Sequence, residues 1–127
     1  MDKINNIKKL TKKMRSLILE TSYSCGEPSH IGGALSIVDI LAVIYSKFNI
    51  RVKNPTDRFI LSKGHGFLAL LSILYCKGFI KNKKDVLNFQ KDGSEFIAHP
   101  IMNKSIGIET SNGSLGQGLS FGVGLAI

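Results

Sequence analysis

The chain has 127 residues and a mass of 13.9 kDa, room for one domain with one core and too little for two. Hydrophobic residues make up 43% and charged residues 20%, which excludes a disordered chain, and no window approaches the roughly 18 uninterrupted apolar residues of a membrane span. A formal net charge of +8 favours anionic partners, but does not choose among nucleic acid, anionic lipid and phosphorylated small molecules.

Residues 1–15 carry six basic side chains, Lys3, Lys8, Lys9, Lys12, Lys13 and Arg15, against one acid. Among and just beyond them, Ile4, Ile7, Leu10, Met14, Leu17 and Ile18 recur at steps of three and four, which predicts a helix over 3–23 with one apolar face. No aromatic residue is interleaved with these lysines to stack on a base, and no nucleic-acid motif occurs, so the basic face reads as solvated surface. The N-terminus lacks the apolar block of a signal peptide. Cys25 and Cys76 stand 51 residues apart, outside any CxxC spacing, and read as reduced thiols. A cytoplasmic protein with no nucleic-acid and no membrane partner is the expectation.

Gly26, Pro28, Gly32 and Gly33 break the helical pattern and predict a loop over 23–33 that contains His30. Ser36 with Asp39 reads as a capping box opening a second helix over 36–47. After the Asn54-Pro55 turn, the run from Arg58 to Ser62 has the length of a buried strand and is stopped by Gly64. Leu68, Leu71, Ile73, Leu74 and Tyr75 predict the next helix, with Gly78 as its terminating glycine. Strand, glycine-flanked His65 and helix make a unit of an α/β fold, whose ligands gather at strand carboxyl ends. A short amphipathic helix is expected over 82–91, then an irregular stretch from Gly93 to Gly113. The last segment, Leu115 to Ile127, mixes glycines with Leu119, Phe121, Val123 and Leu125 and stops on apolar residues without a cap or polar tail. It reads as cut inside a helix.

The three histidines each sit beside glycine or proline: His30 after Pro28-Ser29, His65 between Gly64 and Gly66, His99 before Pro100. Taken singly, each reads most simply as a turn residue with a backbone hydrogen bond. Three of three in loop segments point instead to a site, because site residues concentrate on loops held by a scaffold. Their separations of 35 and 34 residues lack the close pair usual in zinc sites, so metal binding is not expected of them. Glycines 113, 116 and 118 ahead of a helix suit either close approach of an anion to free amides or a tight turn with close packing, and spacing leaves both readings open. The run is not GxGxxG after a strand, and neither GxxxxGK[ST] nor GxSxG occurs. Asn112-Gly-Ser114 and Asn103-Lys-Ser105 match the glycosylation pattern, which means nothing without an export signal. From Asp92 onward the only Lys or Arg is Lys104, so a ligand at the glycine-rich end is not held by a lysine cluster.

Pro28-Ser-His-Ile-Gly-Gly-Ala-Leu-Ser36, Asp57-Arg-Phe-Ile-Leu-Ser-Lys-Gly-His-Gly66, Ala98-His-Pro100 and Gly107-Ile-Glu-Thr-Ser-Asn-Gly-Ser-Leu-Gly-Gln-Gly118 together resemble the N-terminal segment of transketolases. The similarity runs from about residue 5 to 127 and is greatest to the split form, in which the thiamine-diphosphate half and the pyrimidine-binding half are separate chains. It implies an α/β thiamine-diphosphate-binding fold, a parallel sheet flanked by helices, of which residues 1–127 form an incomplete domain with the helical portion and first strand units. It implies cofactor contacts for His65 with the diphosphate and for Gly113, Ser114 and Leu115 along the cofactor, and catalytic contacts for His30 and His99 with the donor sugar, His30 also in proton transfer. The implied reaction, familiar from the pentose phosphate pathway, moves a two-carbon ketol unit from a ketose phosphate to an aldose phosphate. Imidazole suits the proton transfers near neutral pH, and the cofactor supplies carbanion stabilisation.

Pro28-Ser-His-Ile-Gly stands where Gly-His-Pro-Gly is the common wording, and Lys63 where many full-length members have asparagine. The family's Gly-Asp-Gly motif and downstream asparagine, which hold Mg2+ or Ca2+, are absent from the 127 residues, so no metal ligand is assigned here and those ligands are expected beyond residue 127. The implied partners are sugar phosphates and a pyrimidine-binding half on another chain, in a homodimer or heterotetramer, with the 127 residues inactive alone. Two alternatives accompany this expectation: a transketolase-like enzyme of specialised sugars, and a non-catalytic remnant acting as an interaction module.

Overall fold

The computed structural model describes residues 2–127, and regular structure within them is helical: α1 (Asp2–Cys25), α2 (Ile31–Leu35), α3 (Val38–Lys47), α4 (Phe67–Cys76), α5 (Lys83–Leu87) and α6 (Gln117–Ala126), with 3-10 turns at Gly64–Gly66 and Lys104–Ile106. The core forms around α4. All residues from Phe67 to Leu74 are buried, as a helix apolar on every side requires, and α4 packs against α1, α2, α3 and α5. From α1 come Met14, Leu17 and Ile18, from α3 Val38, Leu41, Ala42 and Tyr45, and from the later segments Ile80, Val86, Phe89, Phe96 and Ile108. The one polar side chain in the buried run Phe67–Leu74, Ser72, donates its hydroxyl to the Met14 carbonyl at 3.4 Å, which gives a buried group a partner and ties α4 to α1. The expected apolar face of α1 is present, with Ile7 and Leu10 packed against the core and Met14, Leu17 and Ile18 buried, whereas Ile4, nearer its start, is exposed.

The end of α4 follows the sequence expectation. Gly78 adopts φ +77°, the Gly78 N–H donates to the Tyr75 carbonyl and the Phe79 N–H to the Leu74 carbonyl, both at 2.9 Å. This is a Schellman ending, and only glycine enters it without steric penalty. The short fifth helix also starts as its residues dictate, with the Asn82 side chain accepting from the Lys84 N–H at 3.0 Å, but it closes at Leu87 rather than 91.

The capping box does not form. The Ser36 hydroxyl donates to the Gly33 carbonyl (2.9 Å) and accepts from Lys63 Nζ (2.8 Å), while the Asp39 carboxylate takes the Arg15 guanidinium at 2.8 Å. A charged fork from α1 outcompetes a backbone amide for that carboxylate. Accordingly α3 begins at Val38 with no side-chain cap, and part of the expected loop over 23–33 is helical, as α2.

The expected strand over 58–62 joins no ladder. Among the described residues β pairing is limited to one isolated antiparallel bridge, Asn103 with Ile108. A parallel ladder needs a second strand delivered alongside by a crossover, and no second strand is present among these residues. The segment is held by packing instead: Phe59 meets Tyr45 edge-on with ring centroids 5.5 Å apart, Leu61 is buried, and Arg58 pairs with Glu109 at 2.8 Å. The helical part of the expected α/β architecture is therefore present, and its sheet is not found among the described residues. Residues 58–60 line an open groove of about 650 Å³ with Phe48, Gly122 and Leu125.

Candidate functional site

Three separate segments carry the histidines. His30 occupies the residue before α2, His65 is the middle of the 3-10 turn before α4, and His99 lies in the irregular stretch before the buried Pro100. Glycines allow these segments to touch. A Cβ on Gly33 would come within 3.1 Å of the His65 carbonyl oxygen, and one on Gly64 within 2.6 Å of the Asn112 carbonyl oxygen and 3.1 Å of the His99 ring. The backbone thus brings α2, the His65 turn, the His99 segment and the start of the glycine run together at one point.

The imidazoles meet there. Ring centroids are 4.6 Å apart for His30 and His65, 4.9 Å for His65 and His99, and 5.5 Å for His30 and His99. One nitrogen of each ring lies within 4.8 Å of the corresponding nitrogens of the other two. None of the six ring nitrogens has a hydrogen-bond partner among the described residues, so all remain available to a ligand. His30 is exposed and the other two half-buried. Desolvation, and then the neighbouring His65 and His30, push the His99 pKa below its ordinary 6.5. Burial and the crowding of groups that would all charge alike favour the neutral ring, whose free nitrogen can accept a hydrogen bond.

The glycine run adds a second wall. Gly116 takes φ +86°, turning the chain into α6, and Gly118 lies so close to Ser62 that a Cβ would come within 2.6 Å of that residue's Cα. The N-terminus of α6 is thereby docked on the segment that leads into His65. A ten-residue helix presents partial positive charge at that end. The close-packing reading of the run is met at Gly118, while Gly113 has open space around it. Ser114 and Leu115 are exposed, Leu115 at 69%, and their side chains make no hydrogen bond or core contact among the described residues.

Asn112 was not singled out in the sequence beyond a glycosylation pattern, a use that its 3% exposure excludes. Its N–H donates to the Pro100 carbonyl at 3.1 Å, its carbonyl lies against Gly64, and its Nδ2 donates to Thr110 Oγ1 at 2.5 Å. It joins the His99 segment, the His65 turn and the glycine run. Its Oδ1 is buried without a partner. Position next to Gly113 was the one signal of this role in the sequence.

A site with unpartnered imidazole donors, a helix N-terminus and no opposing acid suits an anionic ligand such as a diphosphate. Residues 7–127 match the family described as the transketolase thiamine diphosphate binding domain. The chain is 36% identical over 125 residues to a transketolase of Buchnera aphidicola subsp. Baizongia pistaciae, covering 94% of this chain and 19% of that protein. It is 40% identical over 120 residues to the 6-deoxy-6-sulfo-D-fructose transketolase subunit SqwG of Clostridium sp. strain MSTE9, covering 90% and 42%. Against Transketolase 1 of Escherichia coli K12 the identity is 32% over 125 residues, covering 94% and 19%. The chain thus spans about a fifth of the two transketolases and about two fifths of the subunit. It belongs to the transketolase thiamine-diphosphate-binding domain family.

Proposed function

We propose that the chain forms the diphosphate end of a thiamine diphosphate site in a transketolase that moves a two-carbon ketol unit from a ketose phosphate to an aldose phosphate. The observation that carries this reading is the convergence of His30, His65 and His99, with unpartnered ring nitrogens, beside the docked N-terminus of α6. In this reading His65 donates to a diphosphate oxygen, and the backbone of Gly113, Ser114 and Leu115 lies along the cofactor. The open space at Gly113 and the exposure of Leu115 leave room for it. Bound there, thiamine diphosphate supplies the carbanion stabilisation that ketol transfer requires. His99, neutral at pH 7, accepts a hydrogen bond from a donor-sugar hydroxyl, and His30, at the exposed edge, holds and returns the proton.

The Mg2+ or Ca2+ implied by the resemblance does not fit the described residues. Asp39 is engaged by Arg15, Glu109 by Arg58, and Asp57 by the Asn49 N–H, and no oxygen-donor cluster accompanies the histidines. No step here runs through that ion. The partners in this reading are sugar phosphates and a chain or chain segment carrying the pyrimidine-binding half, in a homodimer or heterotetramer, in the cytoplasm. The SqwG relative, named as a subunit, supports a separate partner chain. Its printed substrate, 6-deoxy-6-sulfo-D-fructose, also supports a second reading in which the sugar is a specialised one.

The test is ketol transfer by the full-length protein with its pyrimidine-binding half, assayed with phosphorylated and sulfonated ketose donors. His99→Ala is expected to lower kcat by about 10²- to 10⁴-fold, the usual worth of a positioned acid or base. Undiminished turnover in that variant contradicts the reading, and the preferred donor decides between the two substrate classes.

A further inference from the structure

We propose that the cavity between the segment leaving α3 and the end of α4 binds a small ligand through a diphosphate or polyphosphate group, apart from the histidine site. Its volume is about 540 Å³, within the roughly 300–1,000 Å³ of small-molecule pockets, and none of its lining residues belongs to the histidine cluster or the glycine run. Arg51 and Lys53 line it from one segment and Lys77 and Lys81 from the other, with no acid among the lining residues. All four cations are exposed, and none is in an ion pair among the described residues. A Cβ on Gly78 would lie 3.7 Å from Lys81 Nζ, which places that ammonium over the end of α4.

A buried donor in the wall is the second observation. Tyr45 lines the same cavity, is 6% exposed, and its hydroxyl has no hydrogen-bond partner among the described residues. A buried hydroxyl left without an acceptor is costly, and a ligand oxygen entering the cavity supplies one. Burial, and then Glu109, push the Tyr45 phenol above its ordinary pKa of 10, so it stays protonated and donates. Glu109 itself is held by Arg58 at 2.8 Å. Four cations alone would suit any polyanion, whereas a concave site with a buried donor selects a small one, and four charges match more than a single phosphate. Lys77 and Lys81 also suit the C-terminal end of the α4 dipole, but that account leaves out Arg51 and Lys53. The groove along α1 is the contrast: Lys9, Lys12, Lys13 and Lys83 line it, yet so does Glu20, which already takes Lys83 at 2.6 Å. The inference does not rest on the proposed ketol transfer.

Calorimetric titration of inorganic pyrophosphate into the full-length protein carrying His65→Ala tests it, since that background removes the diphosphate donor proposed for the histidine site. The expected result is one pyrophosphate per chain. Adding Tyr45→Phe should weaken it about 10- to 100-fold, the worth of a hydrogen bond to a charged group, without lowering the melting temperature, because that hydroxyl makes no bond within the protein. Arg51→Ala with Lys81→Ala, both on exposed side chains, should weaken it at least ~10-fold with the fold intact. No binding in the His65→Ala protein overturns the proposal, as does affinity unchanged by Tyr45→Phe. Equal weakening by Lys9→Ala with Lys12→Ala on α1, which would mark diffuse attraction to a basic surface, overturns it too.

Discussion

At Gly64 the separation between a side chain and none decides whether the site assembles. A Cβ there would meet the Asn112 carbonyl at 2.6 Å, a backbone atom that cannot swing away. Gly64→Ala is expected to destabilise the protein by about 1–3 kcal/mol in denaturant melts, as overpacking does, and to part the His65 turn from the glycine run. Gly32 is the contrast. It lies in α2 with nothing within 4 Å of its added Cβ, so Gly32→Ala is expected to stabilise by about 0.5–1 kcal/mol through the unfolded chain and helix propensity. His99 makes a pH prediction. Its folded pKa lies below 6.5, so the unfolded chain binds the proton first as pH falls. The group is neutral in both states above that range and takes nothing from stability there. As pH drops through 6.5 toward the folded value, it progressively destabilises the fold. Proton NMR of the His99 ring should titrate below 6.5 and move back up in His65→Ala, which removes a like-charged neighbour.

The helices separate interactions that matter from those that only catch the eye. Leu71 on α4 is fully buried in the core, and Leu71→Ala is expected to cost about 2–5 kcal/mol. The Arg15–Asp39 pair bridges α1 and α3 with a 2.8 Å contact, yet its side chains are 41% and 69% exposed. Solvent screening leaves such a pair ~0.2–1 kcal/mol, so thermal melts of Asp39→Ala should shift little. Elements whose cause is local were legible in the sequence: the apolar face of α1, the buried run of α4 and its Gly78 ending all follow from residues within a few positions. The start of α3 was not, because Asp39 is claimed by Arg15, 24 residues away. Nor was the state of residues 58–62, since an apolar run shows that a segment is buried, while a strand exists only with a neighbour to pair with.

For the molecule as a whole, the site was half legible. Glycine and proline around each histidine marked all three as loop residues, and the order of four motifs carried the family. Their meeting could not be read from separations of 35 and 34 residues, because it depends on packing of Gly33 and Gly64 between segments far apart in sequence. The same holds for Asn112, whose part in joining three segments exists only once they are folded together. The central claim is that this convergence receives the diphosphate of thiamine diphosphate, with His65 as a direct donor. Calorimetric titration of thiamine diphosphate into the full-length protein with its partner half, comparing wild type with His65→Ala, tests it most directly. A hydrogen bond to a charged group is worth about 1.5–3 kcal/mol, so the account predicts affinity lowered about 10- to 100-fold with circular dichroism unchanged. Equal affinity in a folded His65→Ala protein would contradict it.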